Sequence, residues 1–211
     1  MLRRLVAASV VLVGVVALTS SCSSRPSRVH APGISASGAG SGAMSQYDTD
    51  GDGVVKGEEL EKAPSLKAAL DNLDTNKDGG VSASEVSARV EAWQDSKVGV
   101  MSLSCTVTRY GQPVKGASVK FAPEEFLGSK FKACLGTTDQ NGVAILSVPE
   151  GERLKADDPP GAACGLYLVE ITAPDGSIPA KYNTQTTLGQ EVAMDAADLP
   201  GITFDLQTAE N

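Results

Sequence analysis

The sequence predicts an α+β protein in which a small helical unit precedes a sandwich of β-strands. Between residues 44 and 97 the apolar residues recur every three or four positions, which is the period of an α-helix. From about residue 100 onward the period changes to two, which is typical of a β-strand with one buried face. A chain of 211 residues holds one ordinary domain or two small ones, so we expect one domain for each pattern.

The first 22 residues have the composition of an export signal. Arg3 and Arg4 form a basic start, Leu5 to Leu18 form an apolar run, and the small residues 19–21 come directly before Cys22. The apolar run is shorter than the roughly 20 residues that cross a bilayer comfortably. We therefore assign residues 1–22 to a signal peptide.

This segment resembles a bacterial lipoprotein signal, a family whose mature N-terminal Cys carries a lipid. It departs from the family pattern at Thr19, where Leu is preferred. The resemblance implies lipidation of Cys22 and export to the cell envelope, with the protein anchored to a membrane and facing the periplasm or the exterior. Ordinary cleavage and a retained anchor remain as alternatives.

The charge of the chain excludes one class of partner. The formal net charge is −8, and removal of residues 1–22, which contain Arg3, Arg4 and no acid, takes it to −10. Nucleic acids bind to basic faces, so we expect no nucleic-acid partner. The acidity is compatible with cation binding and also with a solvated acidic surface.

Residues 23–43 are rich in Ser, Gly, Ala and Pro and contain no acid. A segment of this kind buries too little apolar surface to offset its ordering entropy. The sequence therefore predicts a disordered tether between Cys22 and the folded part of the chain.

The helical unit is predicted over residues 44–97. Residues 65–73, directly after Pro64, place apolar side chains at helical intervals. Ser82 and Glu85 form a capping box, in which each side chain satisfies an amide at the start of a helix. The predicted helix carries an apolar stripe of Val86, Val90 and Trp93.

Two stretches of twelve residues, 48–59 and 74–85, repeat one spacing of oxygen-bearing residues. Both have side-chain oxygens at positions 1, 3, 5 and 12 and a Gly at position 6, and the carbonyl at position 7 completes the set. Both resemble EF-hand loops, and this resemblance implies calcium as the bound ion. The ligands expected in the first loop are Asp48, Asp50, Asp52, the carbonyl of Val54, and Glu59. Those expected in the second are Asp74, Asn76, Asp78, the carbonyl of Gly80, and Glu85.

A single run of Asp and Gly is also typical of an ordinary surface turn. Two runs that share Gly at position 6, Val at position 8 and Glu at position 12 are hard to obtain by chance. Val55 and Val81 stand at position 8, where an apolar residue suits a short strand pairing between the loops.

Several features predict weak binding. Only residues 44–47 precede the first loop, so its entering helix is expected to be a stub, and Pro64 interrupts the segment between the loops. Lys56 and Lys77 lower the negative charge of the loops. The compact pair is nearer to dockerin-type repeats than to a calmodulin lobe. We expect dissociation constants of about 10⁻⁴–10⁻³ M, a structural role for calcium, and a better formed second loop.

The β-domain is predicted over residues 98–211. Alternation begins at Met101 and returns in short runs separated by Gly, Pro and Asp turns, such as the hairpin signal at 139–142. The segments 111–119, 138–146 and 165–171 together resemble carboxypeptidase regulatory-like domains, which are related to transthyretin-like folds. This resemblance implies an immunoglobulin-like Greek-key β-sandwich of seven strands, a fold that serves mainly as a scaffold or binding module.

The cysteines and the single histidine exclude a zinc site. His30 lies in the predicted tether, and no Cys-x-x-Cys motif is present. Cys105 falls on the apolar face of its strand and is expected to pack as a small hydrophobe. In an oxidising compartment a Cys134–Cys164 disulfide is expected, with three free thiols as the alternative.

The β-domain has no combination of groups that catalysis requires. It contains no His to act as a base, and the adjacent acids Glu124-Glu125 and Asp157-Asp158 are interpreted as solvated loop charge. We therefore predict that the protein is not an enzyme but an exported, membrane-anchored calcium-binding protein that acts as a surface adhesion or assembly module with a protein or glycan partner. The alternative is a periplasmic calcium-responsive accessory protein that regulates a partner.

Overall fold

The computed structural model of the chain describes residues 32–153 and 158–207, and the predicted signal, its Cys22 and residues 23–31 lie outside this part. A helical unit comes first and a β-rich region with two larger sheets follows, so the predicted α+β class is confirmed. Among the described residues no helix is both long enough and apolar enough to span a membrane.

The helical unit consists of five helices and two short strands within the described residues. Its helices are α1 (Ala36–Tyr47), α2 (Glu58–Glu61), α3 (Pro64–Ala68), α4 (Leu70–Leu73) and α5 (Ala83–Asp95). Its strands are β1 (Val54–Lys56) and β2 (Gly80–Ser82), which pair antiparallel with Val55 opposite Val81. Both valines are fully buried, as their place at position 8 predicted.

Helix α1 overturns the prediction of a disordered tether for residues 36–43. It begins after Ser35, whose hydroxyl accepts a hydrogen bond from the Gly38 amide at 3.1 Å, and it makes three turns before the first loop. A β-carbon on Gly40 would lie 2.2 Å from the carbonyl oxygen of Ala83. The small residues therefore permit a close helix–helix contact with α5, and packing compensates for their poor helix propensity.

The capping box predicted at the start of α5 is present. The Glu85 amide donates to the Ser82 hydroxyl at 3.4 Å, and the Glu85 carboxylate accepts from the Ser82 amide at 2.8 Å. The apolar stripe of Val86, Val90 and Trp93 is buried, as the helical spacing predicted.

The β-region contains two four-stranded sheets within the described residues. The first has β10 (Ile202–Leu206) on one side of β3 (Leu103–Arg109), with β7 (Val143–Leu146) and the two-residue β4 (Gln112–Pro113) on the other. The second has the order β6 (Cys134–Thr137), β5 (Ser118–Pro123), β8 (Gly165–Thr172), β9 (Leu188–Val192). All pairs are antiparallel except β3 with β10, which is parallel.

The two sheets share one apolar core. Phe121 of β5 meets Phe204 of β10 edge-on, with ring centroids 6.1 Å apart, and the Tyr167 ring of β8 lies at the same distance from Phe121. All three rings are buried. The resemblance to carboxypeptidase regulatory-like domains stays a prediction.

The expected Cys134–Cys164 disulfide is absent. Cys105, Cys134 and Cys164 are all buried free thiols. Burial raises the pKa of the Cys134 thiol to about 12 and that of Cys164 to about 11. All three therefore pack as small hydrophobes, as was expected for Cys105 alone.

Candidate metal centre

The first loop, which connects α1 to α2, gathers three carboxylates. Oxygen atoms of Asp48, Asp50 and Asp52 lie within 4.8 Å of one another. The Asp48 carboxylate accepts hydrogen bonds from the Gly51 amide at 2.7 Å and the Gly53 amide at 2.9 Å. These bonds hold the loop in a tight turn, for which Gly53 adopts a φ of 89°.

The loop closes at Glu59, near the start of α2. Its Oε1 accepts hydrogen bonds from the Thr49 amide at 2.6 Å, the Thr49 hydroxyl at 2.8 Å and the Asp50 amide at 3.1 Å. The Thr49 hydroxyl, followed by backbone amides, lowers the pKa of Glu59. Glu59 is thus held charged against the backbone of the loop at Thr49 and Asp50, although it is eleven positions away from Asp48.

Lys56 at position 9 interacts with the first loop directly. Its ammonium group donates to the Asp52 carboxylate, raising the pKa of Lys56 and lowering that of Asp52. Both side chains are exposed, so the pair is screened by water. Lys56 nevertheless competes with a cation for Asp52, which favours weak binding.

The second loop, which connects α4 to α5, repeats the hydrogen-bonded turn of the first. The Asp74 carboxylate accepts from the Asp78 amide at 3.1 Å and from the Gly79 amide at 2.9 Å, and the Asn76 side-chain oxygen accepts from the Asp78 amide at 2.8 Å. The Asn76 side-chain amide donates to Asp78 at 2.9 Å. One short turn therefore brings Asp74, Asn76 and Asp78 together.

Glu85 closes the second loop from the first turn of α5. Burial alone would raise its pKa, but hydrogen bonds from Ser82, Asn76 and Thr75 outweigh this and lower the pKa. The Thr75 amide reaches its Oε1 at 3.0 Å and the Ser82 amide its Oε2 at 2.8 Å. The capping box therefore also fixes the position-12 carboxylate.

The residues at position 7, Val54 and Gly80, begin the paired strands β1 and β2. A β-carbon on Gly80 would lie 2.4 Å from a methyl carbon of Val54, so only Gly permits this approach of the two loops. The ten predicted ligands thus lie in two adjacent loops joined by one short ladder. Carboxylate, amide and carbonyl oxygens are the donors that calcium takes, so the donor set fits this ion.

The sequence patterns did not reveal the contact between the helical unit and the β-region. The Glu191 carboxylate on β9 accepts from Arg89 Nε at 2.5 Å, from Trp93 Nε1 at 2.9 Å and from Asn72 Nδ2 at 2.7 Å. Arg89 also donates twice to Asp195, at 2.8 and 2.9 Å, which lowers the pKa of Asp195. This cluster, the Glu191 network, ties α4 and α5 to β9.

A second contact corrects the interpretation of Glu124. Glu124 comes directly after β5, and it is only 2% exposed. Its carboxylate accepts hydrogen bonds from the Tyr47 hydroxyl at 2.9 Å, the Gln46 side-chain amide at 3.2 Å and the Ser65 hydroxyl. Glu125 beside it is exposed, as solvated loop charge should be. Tyr47 directly precedes Asp48, the first predicted ligand, so Glu124 anchors the end of α1 at the first loop.

Comparison with known proteins finds a family model that matches both loops. The EF hand family model matches residues 42–63 and 66–88, two segments that contain the first loop and the second. No curated protein and no solved structure is significantly similar to the chain. The two matched segments form an EF-hand region, and they support calcium as the ion that the loops bind.

Proposed function

We propose that the protein is an exported, lipid-anchored calcium-binding protein that acts as a surface adhesion or assembly module. Its calcium sites stabilise a β-region that has a protein or glycan partner and no catalytic activity. The observation that carries the proposal is the position of both loops. Each loop adjoins a helix that is bonded to a buried carboxylate of the β-region: Tyr47 on α1 donates to Glu124, and Arg89 on α5 donates to Glu191.

Calcium acts on both contacts through the helices that flank the loops. Without an ion, the carboxylates of Asp48, Asp50 and Asp52 repel one another across less than 5 Å. Bound calcium removes that repulsion and stabilises α1, whose last residue bonds to Glu124. Since a ligand that binds only the folded state raises stability by mass action, calcium stabilises the helical unit and the β-region together.

The affinity expected from the loops suits an extracellular role. The helix that enters the first loop was expected to be a stub, but α1 has 12 residues, so it holds the first loop more firmly than expected. Lys56 still competes for Asp52, and Asn76 replaces a charged ligand in the second loop. We therefore keep dissociation constants of about 10⁻⁴–10⁻³ M, at which extracellular calcium fills the sites.

Two features of the β-region favour a role without catalysis. None of its described residues is a His. Burial raises the pKa of Cys105 to about 12, and Cys134 and Cys164 are similarly shifted, so thiolate nucleophiles are scarce at neutral pH. We infer a binding role from this.

Calorimetry of the chain with calcium tests the proposal. We expect two sites in the native protein, one in Glu59→Gln or Glu85→Gln, and none in the double variant. Glu58→Gln is the matched control, because Glu58 is the exposed neighbour of Glu59 on α2 and contributes no loop oxygen. Calcium should also raise a single melting temperature reported by both far-UV and near-UV signals. A native chain that takes up no calcium at millimolar concentration would refute the proposal.

One observation favours the alternative, a periplasmic accessory protein that responds to calcium. The bond from Lys56 to Asp52 gives the ion-free loop a defined partner for one carboxylate, as a two-state switch requires. The two functions differ in affinity. Micromolar or tighter binding together with a calcium-dependent change in partner binding would favour the accessory role.

A further inference from the structure

One end of the fold carries a basic rim, which we define as Lys130, Lys132 and Arg153. These three residues line a pocket whose other walls are mostly apolar and include Val100 and Phe131. Lys130 is exposed and Lys132 is half-buried. The rim stands out in a chain whose net charge is −8.

The rim lies where the described chain begins. Pro32 lines the same pocket, and Lys130 Nζ lies 3.8 Å from the point where a β-carbon on Gly33 would be. Helix α1 leads from this end to the first loop, and its 12 residues span about 18 Å. The acidic calcium loops therefore lie at the far end of α1 from the basic rim.

Both lysines of the rim have solvent-accessible side chains, which an external anion can reach. The ion pairs formed among residues 32–153 and 158–207 involve other cations, namely Lys56, Lys67, Arg89 and Lys120. Arg153 is positioned by backbone carbonyls, since its Nε donates to Val148 at 3.3 Å and its Nη1 to Asp158 at 3.3 Å. Asp158, an acidic residue, also lines the pocket, so the attraction for an anion comes mainly from the lysines.

The sequence that precedes Pro32 adds to the same charge. Residues 23–31 contain Arg25 and Arg28 and no acid, so they are an unsuitable occupant for a basic rim. The ten residue-to-residue steps from Cys22 to Pro32 reach at most about 35 Å. A lipid on Cys22 would therefore keep the rim close to a membrane surface and make weak contacts effective, because the encounter becomes intramolecular.

We propose that the basic rim docks on the anionic phospholipid headgroups of the membrane that holds Cys22, with the calcium loops directed away from it. This inference rests on the lipid anchor of the proposed function. Each Lys or Arg near an anionic membrane favours the docked state about fivefold. Reversing one charge should therefore lower the ratio of docked to undocked protein about 25-fold.

The test uses the full lipidated chain in vesicles, with a fluorophore on a new cysteine. The native thiols Cys105, Cys134 and Cys164 are buried, so exposed Ser129→Cys labels selectively beside the rim. Gln140→Cys, on the exposed turn that leads into β7, is the distant control. A nitroxide lipid quenches probes at headgroup level, in vesicles with phosphatidylglycerol or of phosphatidylcholine alone.

We expect the probe at position 129 to be quenched in the phosphatidylglycerol vesicles, and we expect high salt to abolish this quenching. The probe at position 140 should not be quenched. Lys130→Glu should lower quenching, whereas Lys115→Glu, an equal change on an exposed lysine that precedes β5, should not. Circular dichroism verifies that both variants fold.

Three outcomes would overturn the proposal. Equal quenching in both vesicle types, unchanged by Lys130→Glu, would mean that the tether alone brings the rim near the lipid. No quenching of an anchored chain would refute docking and leave the anchor intact. In detergent, without vesicles, the Ser129 probe could become protected from a soluble quencher as the protein concentration rises. That result would identify a second copy of the chain as the partner that covers the basic rim. Mass analysis of Cys22 separates these results from a failure of the anchor, which would remove both proposals.

Discussion

Glu191 on β9 and Arg89 on α5 form an ion pair with an Nε–Oε1 distance of 2.5 Å, and Glu191 is only 2% exposed. The pair is 102 residues apart in the chain and joins the EF-hand region to the second sheet of the β-region. Trp93, the single Trp of the sequence, donates to the same carboxylate at 2.9 Å. The buried Glu191 carboxylate and its donors therefore form one of the links between the EF-hand region and the β-region, alongside the contact at Glu124.

Replacement of Arg89 with Leu should destabilise the protein by about 3–5 kcal/mol, because Glu191 would be left as a buried charge without its cation. Urea unfolding followed by Trp93 fluorescence and by far-UV circular dichroism measures this loss. Both probes should give one transition in the native chain. Lys67→Leu is the control, because the Lys67–Glu61 pair is exposed and its loss should cost less than about 1 kcal/mol. A cost for Arg89→Leu no larger than that of the control would contradict the prediction.

Replacement of Lys56 with Gln should tighten calcium binding at the first loop about two- to fivefold, because Asp52 loses a competing cation. The affinity is measured by calorimetry in the Glu85→Gln background, which isolates the first loop. Lys62→Gln, a loss of one exposed charge outside both loops, is the control. Equal affinities in Lys56→Gln and the native loop would show that the pair does not compete.

Replacement of Gly40 with Ala should destabilise the chain, although Ala ordinarily favours a helix interior by about 1 kcal/mol over Gly. The new methyl group would meet the Ala83 carbonyl oxygen at 2.2 Å, and the required separation of α1 and α5 should cost about 1–3 kcal/mol. Thermal unfolding measures the change. Gly151→Ala, where a β-carbon meets nothing within 4 Å, is expected to be neutral. A stabilised Gly40→Ala variant would argue against the packing of α1.

The burial of Glu124 predicts a dependence of stability on pH. Desolvation raises the pKa of Glu124 despite the bonds from Ser65, Tyr47 and Gln46. A carboxyl whose pKa is higher in the folded state than in the unfolded state stabilises the fold in acid, and this contribution is lost as the pH rises through the folded pKa.

The stability advantage of the native chain over Glu124→Gln should therefore shrink as the pH rises above about 4.5. Urea unfolding at a series of pH values, without calcium, measures this difference. Glu125→Gln, at the exposed neighbour, should change little with pH. A difference that stays constant or grows between acid and neutral pH would contradict the predicted direction.

The buried thiols predict slow chemistry. In the folded chain Cys105, Cys134 and Cys164 should react with a disulfide reagent much more slowly than a free thiol, since their pKa values are raised to between about 11 and about 12. Denaturant should expose all three. The mass of the chain should be the same with and without reductant. A gain of two mass units on reduction would instead show that a disulfide is present.

Local patterns predicted the elements whose partners are close in the chain. The capping box pairs residues three positions apart, and the alternation from Met101 to Val107 predicted a strand with one buried face, which β3 has. The tether prediction failed at α1 because its helicity depends on contact with α5, more than 40 residues later. Glu124 was misassigned for the same reason, since Tyr47 lies 77 positions before it.

The amino-acid sequence by itself was enough to predict two EF-hand loops, because the oxygen-bearing residues of one loop fall within twelve residues and their spacing is a local pattern. The tertiary structure alone decided which carboxylates lie outside water and which thiols stay unpaired. Those properties depend on which distant segments exclude solvent from a side chain, and spacing along the chain does not specify that.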